Sequence, residues 1–142
     1  MRTLKDIMTH DVECVTTKDN VFEAATKMKQ FDVGFVPVVD GKKLIGVITD
    51  RDLVIRGYAE KRSGSAAVSE VMSNEQVVTA TPETTVDEAA KLMATHKIRR
   101  LPVVQNGDLI GVVAIGDLAV RTTFEDEAGQ ALSEISEGVK ST

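Results

Sequence analysis

The strongest constraint on the fold is an internal duplication of the chain. Residues 12–56 align with residues 77–121 at a constant offset of 65 without a gap, and 17 of the 45 aligned positions are identical. A one-residue adjustment also aligns residues 4–9 with residues 68–73. Two segments recur almost unchanged: Val36-Pro37-Val38-Val39 as Leu101-Pro102-Val103-Val104, and Leu44-Ile45-Gly46-Val47 as Leu109-Ile110-Gly111-Val112. The sequence therefore predicts one structural unit built twice.

Each copy has the pattern of a β-α-β-β-α unit. A short apolar piece precedes an amphipathic helix, whose apolar residues fall at i, i+3, i+4 and i+7 in both copies. Capping-box patterns, Asn20-x-x-Glu23 and Thr85-x-x-Glu88, start these helices. Two β runs follow, separated by Asp40-Gly41 or Asn106-Gly107, and a second helix begins near Asp50 and near Ile115. Repeats this small bury little surface alone, so we expect an α+β fold in which the two copies share a core.

The pattern also predicts boundaries along the chain. The first repeat spans residues 1–61, a polar linker residues 62–67, and the second repeat residues 68–124. A tail, residues 125–142, begins acidic and then carries apolar residues at helical spacing, which predicts a short amphipathic helix: Ala128, Leu132, Ile135 and Val139. This helix would dock on its own module or on a partner.

Composition excludes several classes of function. The formal net charge is -5, which disfavours nucleic-acid binding. Cys14 is the single cysteine, so neither an internal disulfide nor a cysteine-based zinc site is expected. No Ser-His-Asp set, P-loop or metal-ligand cluster is present in the sequence, which predicts a protein that is not an enzyme and has no cofactor. Without a signal-peptide pattern or a bilayer-spanning apolar segment, the predicted location is cytoplasmic.

The two repeats resemble tandem cystathionine-β-synthase (CBS) repeats, a Bateman module, in a stand-alone protein. Each copy has a Val-Pro-Val-Val-like strand, and the first has Gly46-Val47-Ile48-Thr49-Asp50-Arg51-Asp52 at its strand-to-helix junction. The resemblance covers roughly residues 1–122. It implies two repeats packed as a pseudo-two-fold pair. Many such modules are regulatory and bind AMP, ADP, ATP or S-adenosylmethionine in clefts between the repeats.

The resemblance assigns a nucleotide signature to the start of the second helix. In the first copy it matches Thr49 and Asp52, with Asp52 accepting hydrogen bonds from ribose and Thr49 contacting ribose or phosphate. An ordinary helix N-cap explains the same two residues. In the second copy Asp117 keeps its place, but Ala114 replaces the hydroxyl residue. One nucleotide per chain is therefore as compatible with the sequence as two.

Basic residues precede the second Leu-Pro-Val strand. Arg99 and Arg100 match positions at which nucleotide-binding relatives hold phosphates, and arginine can bind phosphate with two parallel hydrogen bonds. The alternative interpretation is that Arg99 and Arg100 are cations that complement the dipole of the preceding helix. The first copy has no basic residue at the aligned positions, so the resemblance favours one asymmetric phosphate pocket. Thr16 and Thr81 end the first strands, where relatives contact adenine through backbone groups, although a turn or cap explains them equally well.

Two functions follow from the sequence. One is a regulatory module that senses an adenosine-containing nucleotide. The other is a ligand-independent scaffold that dimerises through its helices and binds another protein. The resemblance implies a homodimer, and apolar helix residues near Leu53-Val54-Ile55 and Leu118-Ala119-Val120 agree with an exposed interface, although packing between the copies explains them equally well.

Overall fold

The computed structural model of the chain describes residues 2–73 and 77–119. These residues group into two compact units. The first-repeat unit comprises residues 13–73, 77 and 107–109, and the second-repeat unit comprises residues 2–12, 78–106 and 110–119. No helix in these ranges is both long enough and apolar enough to cross a bilayer.

The first-repeat unit contains a short strand β1, a helix α1, a hairpin β2–β3 and a helical segment α2. Their bounds are Val15–Thr16 for β1, Val21–Phe31 for α1, Phe35–Asp40 for β2, Lys43–Thr49 for β3 and Asp50–Asp52 for α2. The chain after α2 continues as a π-helix, Leu53–Gly57, and a 3₁₀ turn, Tyr58–Glu60. Strand β1 pairs with β2 in parallel, and β2 pairs with β3 in antiparallel orientation. Gly41 has a φ of 63°, the left-handed conformation that the tight turn between β2 and β3 requires.

The second-repeat unit repeats this order with a helix α3, strands β4 and β5 and a short helix α4. The bounds are Val86–His96 for α3, Arg100–Gln105 for β4, Asp108–Ala114 for β5 and Ile115–Ala119 for α4. The predicted short strand at residues 77–80 is reduced to an isolated bridge, in which Ala80 pairs with Val103 in parallel. The first residues of β5 belong to the first-repeat unit, where Asp108 pairs with Lys43 and their side chains are 3.1 Å apart.

Local side-chain bonds explain where the long helices begin. The Asn20 Oδ1 atom accepts from the Glu23 backbone N–H at 2.8 Å, and Glu23 Oε1 accepts from the Asn20 N–H at 3.1 Å. Thr85 and Glu88 make the same reciprocal pair at the start of α3. Both predicted capping boxes are confirmed.

The leading segment of each sequence repeat packs in the other unit. Leu4 and Ile7 are buried in the second-repeat core, where the Leu4 N–H donates to Thr84 O at 2.9 Å. Val68 and Val71 are buried in the first-repeat core. Two short antiparallel bridges complete the exchange: Thr9 with Val112, and Ser73 with Val47. Each compact unit therefore contains the leading segment of the other sequence repeat, and we call this the exchanged packing.

The cores are aliphatic, as expected for a chain in which only 4% of the residues are aromatic. The first-repeat core is built around Val15, Met28, Val36, Val38 and Ile48. Met93, Leu101 and Leu118 are the largest fully buried side chains that residues 80–118 contribute to the second-repeat core. The predicted α+β fold is confirmed, while the predicted tail helix at residues 125–142 lies outside the described residues.

Candidate functional site

The junction between β3 and α2 fixes the carboxylate of Asp52. The Thr49 N–H donates to Asp52 Oδ2 at 3.0 Å, and the Asp52 N–H donates to Thr49 Oγ1 at 3.1 Å. This reciprocal pair is a capping box, and it closes the first helical turn directly after the strand. Asp52 is only 8% exposed and is the one buried charged residue among residues 2–73 and 77–119. The structure therefore brings Thr49 and Asp52 together, with Asp52 held in one orientation.

Ser73 is a neighbour of Asp52 that the sequence patterns did not identify as a site residue. Its hydroxyl donates to the Asp52 carboxylate, with Oγ 3.2 Å from Oδ1 and 3.3 Å from Oδ2. The backbone of Ser73 is anchored to Val47 by two hydrogen bonds of 2.9 and 2.8 Å. One feature of the sequence could have identified Ser73. The alignment of residues 4–9 with residues 68–73 places a hydroxyl residue at the end of both segments, Thr9 in one and Ser73 in the other.

The corresponding junction of the second-repeat unit keeps half of this geometry. The Ala114 N–H donates to Asp117 Oδ2 at 2.9 Å, as the Thr49 N–H does to Asp52. Ala114 has no hydroxyl to accept a bond in return, and Asp117 is partly exposed. The carboxylate of Asp117 is therefore placed at the start of α4 by the backbone alone.

Arg99 and Arg100 lie beside the start of α4. The Ile115 N–H donates to the Arg99 carbonyl oxygen at 2.8 Å, and Arg100 begins β4. Arg99 is exposed and Arg100 is half-buried. Within the part of the chain that the structure describes, neither guanidinium group makes a hydrogen bond or an ion pair. The structure thus brings both arginines and Asp117 to one end of the second-repeat unit.

The equivalent place in the first-repeat unit is acidic. The Asp50 N–H donates to the Gly34 carbonyl oxygen at 3.0 Å, which matches the bond between Ile115 and Arg99. The Asp50 carboxylate lies over Gly34, since a Cβ atom on this glycine would be 2.8 Å from Asp50 Oδ2. A carboxylate here repels an anion, whereas the arginines of the second-repeat unit attract one. The two units therefore differ in charge at this place, and a single phosphate pocket stays a prediction.

Thr16 lies away from the β3–α2 junction. Thr16 pairs with Val39 of β2, and Thr49 pairs with Phe35 of the same strand. These two partners are four residues apart, which is about 13 Å along β2. Thr16 begins a turn, with its N–H donating to Asp19 Oδ2 at 2.8 Å, and a backbone contact with adenine at this position stays a prediction.

Thr81 has a similar role in the second-repeat unit. It follows Ala80, which pairs with Val103 of β4. The Thr81 N–H donates to Thr84 Oγ1 at 3.0 Å, and the two hydroxyl oxygens are 3.2 Å apart. Both Thr16 and Thr81 are thus turn residues, and the strand pairing separates Thr16 from the Asp52 carboxylate.

An open depression of about 310 Å³ lies at α2 and the π-helix that follows it. Asp50, Arg51, Val54 and Ile55 line it, and Val54 and Ile55 are 57% and 49% exposed. Of the apolar residues expected near the start of the second-repeat helix, Leu118 does not contribute to an exposed surface, because its side chain is fully buried in the second-repeat core. Exposed large apolar residues among the described residues therefore belong to the first-repeat unit.

No group of three or more His, Cys, Asp or Glu side chains within residues 2–73 and 77–119 is arranged to hold a metal ion. The polar groups that are gathered are carboxylates at two helix starts, hydroxyls beside one of them and guanidinium groups beside the other. Such groups can accept hydrogen bonds from a diol and donate hydrogen bonds to a phosphate.

Known proteins resemble the chain over nearly its whole length. It is 47% identical over 140 residues to Uncharacterized protein YlbB of Bacillus subtilis (strain 168), which covers 97% of this chain and 94% of that protein. It is 46% identical over 136 residues to CBS domain-containing protein YhcV of the same organism, covering 96% of each. Inosine-5'-monophosphate dehydrogenase of Staphylococcus saprophyticus is 38% identical over 133 residues, which cover 88% of this chain but 26% of the dehydrogenase.

Solved structures agree with these relatives. The crystal structure of Hypoxic Response Protein I with two coordinated zinc ions matches with a TM-score of 0.77 and 31% identity, over 84% of this chain and 98% of that one. The crystal structure of CBSX2 in complex with AMP matches with a TM-score of 0.75 and 28% identity, over 89% of this chain and 99% of that one. The CBS domain family model matches residues 4–57 and again residues 68–121. The chain therefore belongs to the CBS domain family as a tandem pair of CBS domains.

Proposed function

We propose that this CBS pair is a regulatory module, not an enzyme, and that it binds an adenosine nucleotide. The observation that carries the proposal is the carboxylate held at the start of a helix in both units, by Thr49 N–H at 3.0 Å and by Ala114 N–H at 2.9 Å. CBSX2 was solved in complex with AMP, and it shares this chain's fold at 28% identity. A cytoplasmic location stays a prediction from the sequence.

The proposed contacts assign different residues to the ribose and to the phosphate of the nucleotide. Asp52 and Asp117 accept hydrogen bonds from ribose hydroxyls, because an ionised carboxylate is an acceptor at both oxygens. Thr49 adds a hydroxyl beside Asp52 only. Arg99 and Arg100 bind phosphate, since their guanidinium groups have no anionic partner within the described residues.

Titration calorimetry with AMP, ADP, ATP and S-adenosylmethionine tests the proposal. We expect a dissociation constant in the micromolar range for one of these ligands, which corresponds to roughly −8 kcal/mol. Asp52→Ala and Asp117→Ala, examined separately, identify the junction that binds ribose. Loss of binding in one variant that still unfolds in a single cooperative transition supports a ligand contact. Absence of binding by the unmodified protein to any of the four contradicts the proposal.

Arg100→Ala tests the phosphate contact. We expect the variant to bind adenosine as the unmodified protein does, and to lose about tenfold or more in its preference for AMP over adenosine, because a charge-assisted hydrogen bond is removed. Lys91→Ala is the matched control, since Lys91 is an exposed cation on α3. An equal loss in the control would assign the effect to net charge.

A second function is favoured by the exposed surface of the first-repeat unit. We propose that the chain forms a homodimer through Val54, Ile55 and Tyr58, which are 57%, 49% and 86% exposed. Adjacent Asp50 and Arg51 make this surface self-complementary in charge, because a two-fold axis places each beside the opposite charge of the partner. Such a dimer is the basis of the ligand-independent scaffold.

Sedimentation velocity tests the dimer. Val54→Asp should shift the protein to monomer without lowering its melting temperature by more than the loss of the dimer explains. Phe22→Asp is the control, because Phe22 is an exposed apolar residue on α1, 67% exposed, and the aligned residue of the second repeat is already Asp87. Monomeric unmodified protein, or equal dissociation by both variants, contradicts the proposed surface.

A further inference from the structure

We propose that Ser73 is a positioning residue for a nucleotide's ribose at Asp52. The inference rests on the proposed nucleotide function and deepens it. The carboxylate of Asp52 is held by groups from two directions: the Thr49 N–H at 3.0 Å from the strand-to-helix junction, and the Ser73 hydroxyl at 3.2 and 3.3 Å from the segment after the linker. Without Ser73, the side chain would be fixed from one direction only.

The hydrogen-bonding capacity of Asp52 fits this role. An ionised carboxylate has about four acceptor positions. The Thr49 N–H and the single Ser73 hydroxyl proton occupy two of them, so two remain for the two hydroxyls of a ribose. Ser73 therefore orients the carboxylate and leaves two of its acceptor positions for the diol. Because its own proton points at Asp52, the oxygen of Ser73 is also an acceptor.

The backbone of Ser73 makes this position rigid. Two hydrogen bonds of 2.9 and 2.8 Å join Ser73 to Val47 in β3, two residues before Thr49. Val71, from the same segment, is fully buried in the first-repeat core. A hydroxyl on a backbone fixed at this distance does not have to be ordered when ligand binds, which lowers the entropy cost of binding.

The second-repeat unit offers a comparison within the same chain. Thr9 forms the matching bridge with Val112, through hydrogen bonds of 2.9 and 3.0 Å. A threonine is thus accommodated at the position equivalent to Ser73. Ser73→Thr is therefore the conservative variant, since it keeps the hydroxyl, while Ser73→Ala removes it and leaves the backbone bridge in place.

The experiment compares AMP with 2'-deoxy-AMP by titration calorimetry of the full chain. It is performed in the unmodified protein and in an Asp117→Ala background, in which Asp52 is the remaining one of the two carboxylates proposed to bind ribose. We expect Ser73→Ala to weaken AMP binding about fivefold to tenfold in that background, which is in the range of one ordinary hydrogen bond, because the carboxylate is misplaced but not removed. Binding of 2'-deoxy-AMP should fall by less than about twofold, because the deoxy sugar makes one ribose bond fewer.

Two variants separate positioning from structural support. Ser73→Thr should restore AMP affinity to within about twofold of the parent. Ser69→Ala, in the same segment at an exposed position, should change neither affinity. The melting temperature of each unliganded variant is recorded alongside.

Four results would overturn the inference. If Ser73→Ala weakens the binding of AMP and of 2'-deoxy-AMP equally, Ser73 has a structural role alone. If Ser73→Ala binds AMP as tightly as Ser69→Ala does, Ser73 has no role in binding. AMP binding by the unmodified protein that disappears in Asp117→Ala would refute a ribose site at Asp52, while the proposed function stands. If the unmodified protein binds no adenosine nucleotide, the proposed function and this inference both fail.

Discussion

Leu4→Ala tests the exchanged packing of the leading segments. Leu4 is fully buried in the second-repeat core, although it opens the first repeat in the sequence. Replacing a buried leucine by alanine costs about 2–5 kcal/mol, and the cost is largest where the site cannot collapse. Here the backbone is held by the Leu4 N–H bond to Thr84 O at 2.9 Å and by the Met8 N–H bond to Leu4 O at 2.8 Å.

Because the segment is held in this way, we expect a loss near the middle of that range, about 3 kcal/mol. In a chain of this size such a loss lowers the melting temperature by roughly 6–12 °C. Val68→Ala is the matched control, since Val68 is aligned with Leu4 and is fully buried in the first-repeat core. It removes one carbon fewer, so the expected loss is smaller, about 2 kcal/mol.

Circular dichroism during urea unfolding measures the free energies, and hydrogen exchange with mass spectrometry locates them. Leu4→Ala should increase exchange in α3 more than in α1, because α3 packs against Leu4 in the same core. Val68→Ala should show the reverse. A loss of less than about 1 kcal/mol in Leu4→Ala, or increased exchange confined to α1, would refute the exchanged packing.

Three further predictions concern packing, pH and thiol chemistry. Gly111→Ala should destabilise the protein by about 1–3 kcal/mol in urea unfolding, because the new Cβ would be 3.0 Å from the backbone oxygen of Thr9; no change would contradict that close approach. Hydrogen bonds from Thr85 lower the pKa of Glu88 from 4.5, so its contribution is present at neutral pH and is lost as the pH falls through the lowered value. As the pH falls from about 6 to about 3, the free energy of unfolding should therefore decrease less in Glu88→Gln than in the unmodified protein. Equal decreases would argue against these hydrogen bonds to Glu88. Burial raises the pKa of the Cys14 thiol, so a disulfide reagent at about pH 8 should modify it more slowly in the native protein than in urea, and equal rates would refute the shift.

Local features of the fold were predictable because they depend on residues close together in the chain. The capping boxes at Asn20 and Thr85 join residues three apart, and the helix periodicity spans two turns. The turn at Gly41 needs a left-handed conformation that glycine adopts without strain. The Asp52 carboxylate at a helix start follows from the same three-residue spacing to Thr49.

The duplication, the α+β class and the family resemblance were therefore determined by the sequence alone. Tertiary structure decided which segment packs where, because burial of an apolar side chain such as Leu4 or Val68 is favourable in either apolar core, and only the full set of contacts distinguishes the two. The tertiary structure also decided that Leu118 is buried. It further decided the strand pairing, in which the β2 partners of Thr16 and Thr49 lie four residues apart. The Ser73 bond to Asp52 joins residues 21 apart, and no local pattern encodes a contact that depends on the exchanged segment reaching β3.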